Sequence, residues 1–434
     1  MAFVGMNLVF GPSLDAVTEI TEPRDVYESF GDDLQNVATQ ASAFADGLHS
    51  AGTAVCAMAS VESSMQEYYR LSSPDQDDDA PELESVAEAT VLNNMMPNRK
   101  PDGIISSFSI PDFADPYRAS RAQQLIIQRV FRRQCGFRGP VVSDCSKVLP
   151  EHAHCYVHAP LLALLSGSDM VVLPPDPHQR LACIEALHAA VAATFLPDYL
   201  ISAAADRVSM LKRRRLSWTA GSLPANPQTQ LDLTADAIYR SAITALDPDD
   251  ESPLSDLPAS AVLLVLTPSV PSTGTGTGEE PTYDPFETLG RAIAGIHPRT
   301  RHVPYVLSTG LTATHVAFLQ RVNAVILVLC NASSAFSDSQ SEFIDAVQGL
   351  LSAQEPPDAS LGSGGAGGEA SSNGVGERVK KVVLAAGDPR DLRPRSLSGW
   401  WKCCCYEYTK NALEASAEVL MGRRQATGVA PIKI

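Results

Sequence analysis

Short apolar runs recur through the first half of the sequence, each followed by a stretch with helical spacing. Val4 to Val9 reads as a strand ending at Gly11-Pro12, and Leu34 to His49 reads as a helix stopped by Ala51-Gly52. Thr53 to Met58, Ile104-Ile105, Gly139 to Ser143 and Met170 to Leu173 are further strand candidates. Between and after them, Gln123 to Gln134, Pro160 to Leu165 and Pro197 to Arg215 carry helical periodicity. Strands that alternate with helices build βαβ units around a parallel sheet. The spacing suits a (β/α)8 TIM-barrel-like domain, incomplete because fewer than eight strands are visible.

The alternation stops in a Pro- and Asp-rich stretch carrying one helix, Asp232 to Ala245, and then resumes. Val262 to Leu266, Val303 to Leu307, Val325 to Leu329 and Val379 to Ala385 are four strand-like runs with helices between them. The expected organisation is therefore a barrel-like domain over 1–220, a linker over 221–258 and a C-terminal α/β sandwich over 259–434. Low-complexity segments at 271–281 and 354–376, and an acidic run from Ser72 to Glu84, read as surface insertions.

Composition narrows the partners. The 434 residues hold 33 Lys and Arg against 50 Asp and Glu, a formal charge of −17. Nucleic-acid backbones and anionic membranes need a clustered positive face, so neither is an expected partner. No apolar run approaches the length of a membrane span, and MAFVGMNLVF lacks the basic flank of a signal peptide. A soluble, cytoplasmic chain is the expectation. Nine cysteines without regular spacing or a C-x-x-C pair form neither a disulfide framework nor a zinc site.

Several motifs then line up in order. Asn7 to Asp15 reads N-L-V-F-G-P-S-L-D, followed by Glu28-Ser29-Phe30-Gly31-Asp32-Asp33 and a helix ending Gly47-Leu48-His49-Ser50-Ala51-Gly52. Cys135 to Asp144 reads C-G-F-R-G-P-V-V-S-D, and Ala163 to Leu173 reads A-L-L-S-G-S-D-M-V-V-L. Ala385 to Leu392 and Ala415 to Ile434 add two motifs in the second half. Together they resemble glycoside hydrolase family 3, in its β-N-acetylhexosaminidase-like branch, fungal-type members included. The resemblance implies a barrel followed by a flavodoxin-like domain, a carbohydrate (N-acetylhexosaminide) substrate, no cofactor and no catalytic metal. It says nothing of oligomeric state.

Asp144 matches the family's nucleophile position, at the end of an apolar strand where barrel enzymes keep their chemistry. A carboxylate there attacks the anomeric carbon of a retaining glycosidase's substrate. The plainer reading is an Asp in an Asx-turn. Asp15 and Arg24 lie where the family binds sugar or supports neighbouring loops.

The acid/base partner departs from the family. Its K-H-F-P-G-H-G motif corresponds here to Ala57 to Arg70, which holds no Lys, His or Gly. Glu62 and Glu67 are the carboxylates on offer, with solvated helix charges as their plainer reading; His152 is a third candidate beside Asp144. The family's D-x-E-G-G segment, which precedes its first matching strand, has no counterpart. Two functions stay open: a retaining β-N-acetylhexosaminidase, or a pseudo-glycosidase that keeps the shell as a carbohydrate-binding or regulatory protein.

Three weaker signals have structural readings. His152, His154 and His158 read as loop histidines rather than a metal site, and Lys212 to Arg215 as a basic helix end facing the helix dipole. Trp400-Trp401 and Cys403 to Cys405 read as a buried segment of the second domain.

Overall fold

The computed structural model describes residues 5–17, 29–59, 87–95, 100–107, 116–146, 157–216, 227–246, 251–269, 284–330, 337–354 and 378–434. The chain divides into two compact units, 1–224 and 225–434.

The first unit is built on five parallel strands, β1 (Leu8–Ser13), β2 (Ala54–Met58), β3 (Gly103–Ser107), β4 (Val141–Asp144) and β5 (Met170–Val172), lying side by side in chain order. Its helices are α1 (Leu34–Ser50), α2 (Ala87–Asn94), α3 (Pro116–Leu125), α4 (Ala159–Leu165), α5 (Pro177–Ala192) and α6 (Asp198–Arg215). Helix α1 starts where the Asp33 carboxylate accepts from the Asn36 N–H at 2.7 Å, taking up one of the helix's unpaired donors. Helix α3 runs into a π-helical stretch, Ile126–Gln134.

Alternation along the strands sorts the two faces. Val55, Ala57, Ile104 and Val141 pack on Val37, Ala41, Ile127, Val130 and Phe131 of the helices. Cys56, Ile105 and Val142 point the other way, in a layer with Leu8, Met58, Met170 and Val172. Strands in unbroken order, with helices over one face and a smaller apolar layer on the other, form the arc of a (β/α) barrel. A doubly wound sheet would reverse its order. Among the described residues β1 and β5 pair only with β2 and β4, so the arc stays open.

The first strand sits further along than its apolar run suggests, Leu8–Ser13 rather than Val4 to Val9, and takes in Gly11-Pro12. A proline removes one ladder donor, which an edge strand tolerates. Helix α5 is an element that the sequence reading did not mark.

The second unit contains α7 (Pro227–Ala242), β6 (Thr244–Ala245), β7 (Leu263–Pro268), α8 (Glu287–Ile296), β8 (Thr300–Tyr305), α9 (Ala313–Leu319), β9 (Ala324–Leu329), α10 (Ser337–Ser352), β10 (Lys380–Ala385), β11 (Trp401–Cys404) and α11 (Lys410–Leu420). The sheet order is β6-β11-β10-β9-β7-β8, parallel throughout except for β6. Counted from β7, this is the 2-1-3-4-5 order of flavodoxin-like folds. Its inner strands β7 and β9 are buried and apolar on both sides, as a sheet covered on both faces requires. Leu263, Val265, Ile326 and Leu384 face one core, and Leu264, Leu266, Leu327 and Val383 the other.

The stretch 221–258, expected as a linker, packs into this unit where it is described. β6 pairs with β11, Arg240 Nη1 meets Glu418 Oε2 at 2.6 Å, and Leu254 is buried in the core. Prolines and aspartates there mark turns of a packed segment. Cys403, Cys404 and Cys405 are buried at the end of β11, and no described cysteine forms a disulfide. The insertions 271–281 and 355–376 and the acidic run 72–84 lie outside the described residues.

Candidate active site

Strand β4 ends on Asp144, level with Ser107 of β3 and Val172 of β5. Two residues earlier, Val142 lies in the inner layer of the arc. With a side-chain period of two, Asp144 projects onto that same concave face, at the C-terminal rim. Below it run Met58, Ile105, Val142 and Met170 in one row. One carboxylate oxygen, Oδ1, accepts the Ser146 N–H at 2.9 Å. The Asx-turn and the rim position therefore coexist: the turn fixes the carboxylate where the strand delivers it. Behind it Cys145 is buried, and burial, reinforced by the Asp144 charge, raises its thiol far above the usual range. A thiol so placed is no nucleophile.

The strand behind Asp144 is held from the other side. Ser143 Oγ lies 2.6 Å from Ser168 Oγ and receives Gln123 Nε2 at 2.9 Å, all three residues being buried. Helix α3, β4 and the segment before β5 are thus tied together one residue from the candidate nucleophile.

At the opposite end of the sheet the sequence reading missed a charged framework. Asp102, just before β3, accepts from the Val55 N–H at 3.1 Å, from His49 Nε2 at 2.8 Å and from Arg215 Nε at 2.8 Å. Asp169, just before β5, accepts from the Val141 N–H at 2.8 Å, from Arg132 Nη2 at 2.7 Å and from Arg207 Nη1 at 2.5 Å. Arg207 and Arg215 of α6 reach the sheet this way, so the basic run Lys212 to Arg215 does more than face a helix dipole. The visible signal was an aspartate directly before an apolar run, twice: Asp102-Gly103-Ile104 and Asp169-Met170-Val171. A cavity of about 490 Å³ opens here between α6 and the start of β5.

Of the other candidates, Asp15 is described. Asp15 follows β1, three strand positions away; its Oδ2 accepts from Ser13 Oγ at 3.0 Å, and its carbonyl accepts from Ser29 Oγ at 2.5 Å. These bonds brace the loop after β1. Arg24, Glu62, Glu67 and His152 lie outside the described residues. Among the described residues no three His, Cys, Asp or Glu side chains gather as a metal site, and no helix is long and apolar enough to cross a membrane.

Residues 1–211 match the glycosyl hydrolase family 3 N-terminal domain. The first unit is thus a glycosyl hydrolase family 3 N-terminal domain. Solved family 3 structures share its architecture over both units. A fungal multi-domain β-N-acetylglucosaminidase of family 3 superposes with a TM-score of 0.74 at 18% identity, covering 100% of this chain and 47% of its own. A family 3 β-N-acetylglucosaminidase from Paenibacillus sp. str. FPU-7 gives 0.66 at 19% identity, covering 99% and 77%. A β-glucosidase from Listeria innocua bound to isofagomine gives 0.61 at 16% identity, covering 98% and 58%. The chain thus spans about half the length of the fungal enzyme. No curated protein matches it in sequence. The family 3 domain makes the open five-stranded sheet part of a TIM-barrel-like fold, and Asp144 stands at the barrel's C-terminal rim.

Proposed function

We propose that this family 3 chain is a retaining glycosidase acting on terminal β-linked N-acetylhexosamine, with Asp144 as its nucleophile. The observation that carries this reading is the position of Asp144: last residue of a barrel strand, on the concave face, with its carboxylate oriented by the Ser146 N–H. In such an enzyme the free carboxylate oxygen attacks the anomeric carbon, and the glycosidic oxygen leaves with a proton from an acid. Water then cleaves the glycosyl ester, delivering its proton to that same group acting as base. Glu62, Glu67 and His152 are the candidates for the proton donor, and Asp15 and Arg24 for contacts to sugar.

The alternative is a pseudo-glycosidase that binds carbohydrate without turnover. It is favoured by the segment Ala57 to Arg70, which contains no Lys or His. General acid assistance contributes about 10²–10⁴-fold to such a reaction, so its loss leaves mainly substrates with good leaving groups within reach. Trapping separates the two. Incubation with an activated fluorinated N-acetyl-β-glucosaminyl fluoride, followed by peptide mass mapping, is expected to place one sugar on the peptide containing Asp144. An unlabelled chain that still binds N-acetylglucosamine on a carbohydrate array would establish the binding role instead.

A further inference from the structure

We propose that Gln123 is a positioning residue for Asp144, holding the rim end of β4 through Ser143 and the turn before β5. The inference deepens the reading of Asp144 as nucleophile and rests on it.

Strand β4 has only four residues, so few ladder bonds fix it. Its side chains alternate: Val141 and Ser143 face the helices, and Val142 and Asp144 the concave layer. A slip of one residue would carry Asp144 to the wrong face. Asp169 pins the foot of the strand by taking the Val141 N–H. Ser143 pins the rim end, and there the partners are polar although the core around them is apolar.

Gln123 lies on α3 one turn after Ser120, on the same side of the helix. Both reach the turn that joins α4 to β5. Ser120 Oγ lies 2.9 Å from Ser166 Oγ. Gln123 Nε2 donates to Ser143 Oγ at 2.9 Å, and Ser143 Oγ lies 2.6 Å from Ser168 Oγ. Gly167, at φ +100, lets the turn present a serine on either side of it.

Net stability does not explain this choice. Gln123 is 1% exposed, and its Oε1 has no hydrogen-bond partner among the described residues. A buried amide satisfied at one end adds little to stability, and methionine of similar length would fill the space without a stranded acceptor. What the amide adds is direction. Apolar burial is non-directional, whereas a hydrogen bond selects one register. That bond ends one peptide from the carboxylate that the Ser146 N–H orients.

Gln123→Met tests this, with Ser168→Ala as a second variant that removes the other partner of Ser143. Ile126→Val, three residues along and in the apolar core, trims packing and leaves Ser143 untouched. On an activated aryl N-acetyl-β-glucosaminide, Gln123→Met and Ser168→Ala are expected to lower kcat by about 10–100-fold with KM unchanged. Gln123→Met should keep the wild-type urea midpoint. Ile126→Val should do the reverse, lowering the midpoint with kcat unchanged. Amide exchange gives a readout independent of turnover. The Cys145 and Ser146 N–H groups, bonded to the Val172 carbonyl and to Asp144, should exchange faster in Gln123→Met, and the Val141 N–H should not. Wild-type exchange and kcat in Gln123→Met overturn the proposal. So does an Ile126→Val variant that loses kcat as far as Gln123→Met, because the contact is then ordinary packing. A wild type without turnover removes Asp144 as nucleophile, and exchange then decides the positioning: faster at Cys145 and Ser146 upholds it, unchanged overturns it.

Discussion

Asp102 and Asp169 make the same four kinds of contact two strands apart. Each gives its own N–H to the carbonyl of the first or second residue of the strand alongside, Val55 or Val141, at 2.8 Å. Each takes the N–H of that same residue on its carboxylate, and each receives one arginine from α6 and one further base from an outer helix. Eight residues of helix separate Arg207 from Arg215, about 12 Å at 1.5 Å per residue. Two strand spacings are about 10 Å. The match lets one helix brace the foot of the arc, at the end opposite Asp144.

The first prediction concerns these carboxylates. Their side chains are 3% and 1% exposed, and removing one leaves two partly buried bases and a strand N–H without their acceptor. Asp169→Ala and Asp102→Ala are each expected to cost about 3–5 kcal/mol in urea unfolding of the first unit. Asp236→Ala, which breaks the exposed pair with Arg240 on one helix face, should cost within about 1 kcal/mol. Equal losses at the three positions would remove the bracing role.

Gly139 offers a second test. A Cβ there would sit 2.0 Å from the Asp102 carbonyl oxygen and 2.8 Å from the Phe137 ring, so β4 could not approach β3. Gly139→Ala is expected to abolish soluble expression. By contrast Gly47, in the last turn of α1 with open space around it, should gain up to about 0.5–1 kcal/mol on change to alanine. Parallel thermal melts of the two variants decide this.

A third prediction follows from His302 on β8. Burial, outweighing the nearby Asp284 and Glu287 charges, lowers its pKa below the ordinary 6.5, and Nε2 lies 2.8 Å from Thr267 Oγ1. The unfolded chain then binds a proton that the folded chain refuses. Stability from this group is complete above pH 6.5 and falls as the pH drops through the lower folded value. The denaturation midpoint of the second unit should decline below pH 6.5, and His302→Gln should flatten that part of the profile. An unchanged slope in the variant contradicts the assignment.

Much of this architecture was legible from apolar periodicity alone, because buried parallel strands announce themselves as short runs of Val, Ile, Leu and Ala. β2, β4 and β9 fall where those runs lie. β1 was displaced because Gly11-Pro12 reads locally as a terminator, while an edge position absorbs it. β6 and β11 were not marked as strands: one spans only Thr244–Ala245, and the other lies in a Trp- and Cys-rich patch whose burial showed but whose pairing did not. The site divides similarly. The place of Asp144 at the end of β4 was legible from the apolar run before it and its candidacy from the family motif, whereas the Asp102 and Asp169 bridges join residues as far apart as 113 positions: the apolar runs mark the two aspartates but not their partners.

The most direct measurement is release of an aryl leaving group from an activated aryl N-acetyl-β-glucosaminide, by wild type and by Asp144→Asn. Asp144 makes its one described side-chain bond to a backbone N–H, which an amide oxygen also accepts, so the variant should keep the fold by circular dichroism. Turnover by the wild type that falls at least about a thousandfold in Asp144→Asn is the predicted result. Equal rates from both, or none from either folded protein, would contradict Asp144 as a working nucleophile.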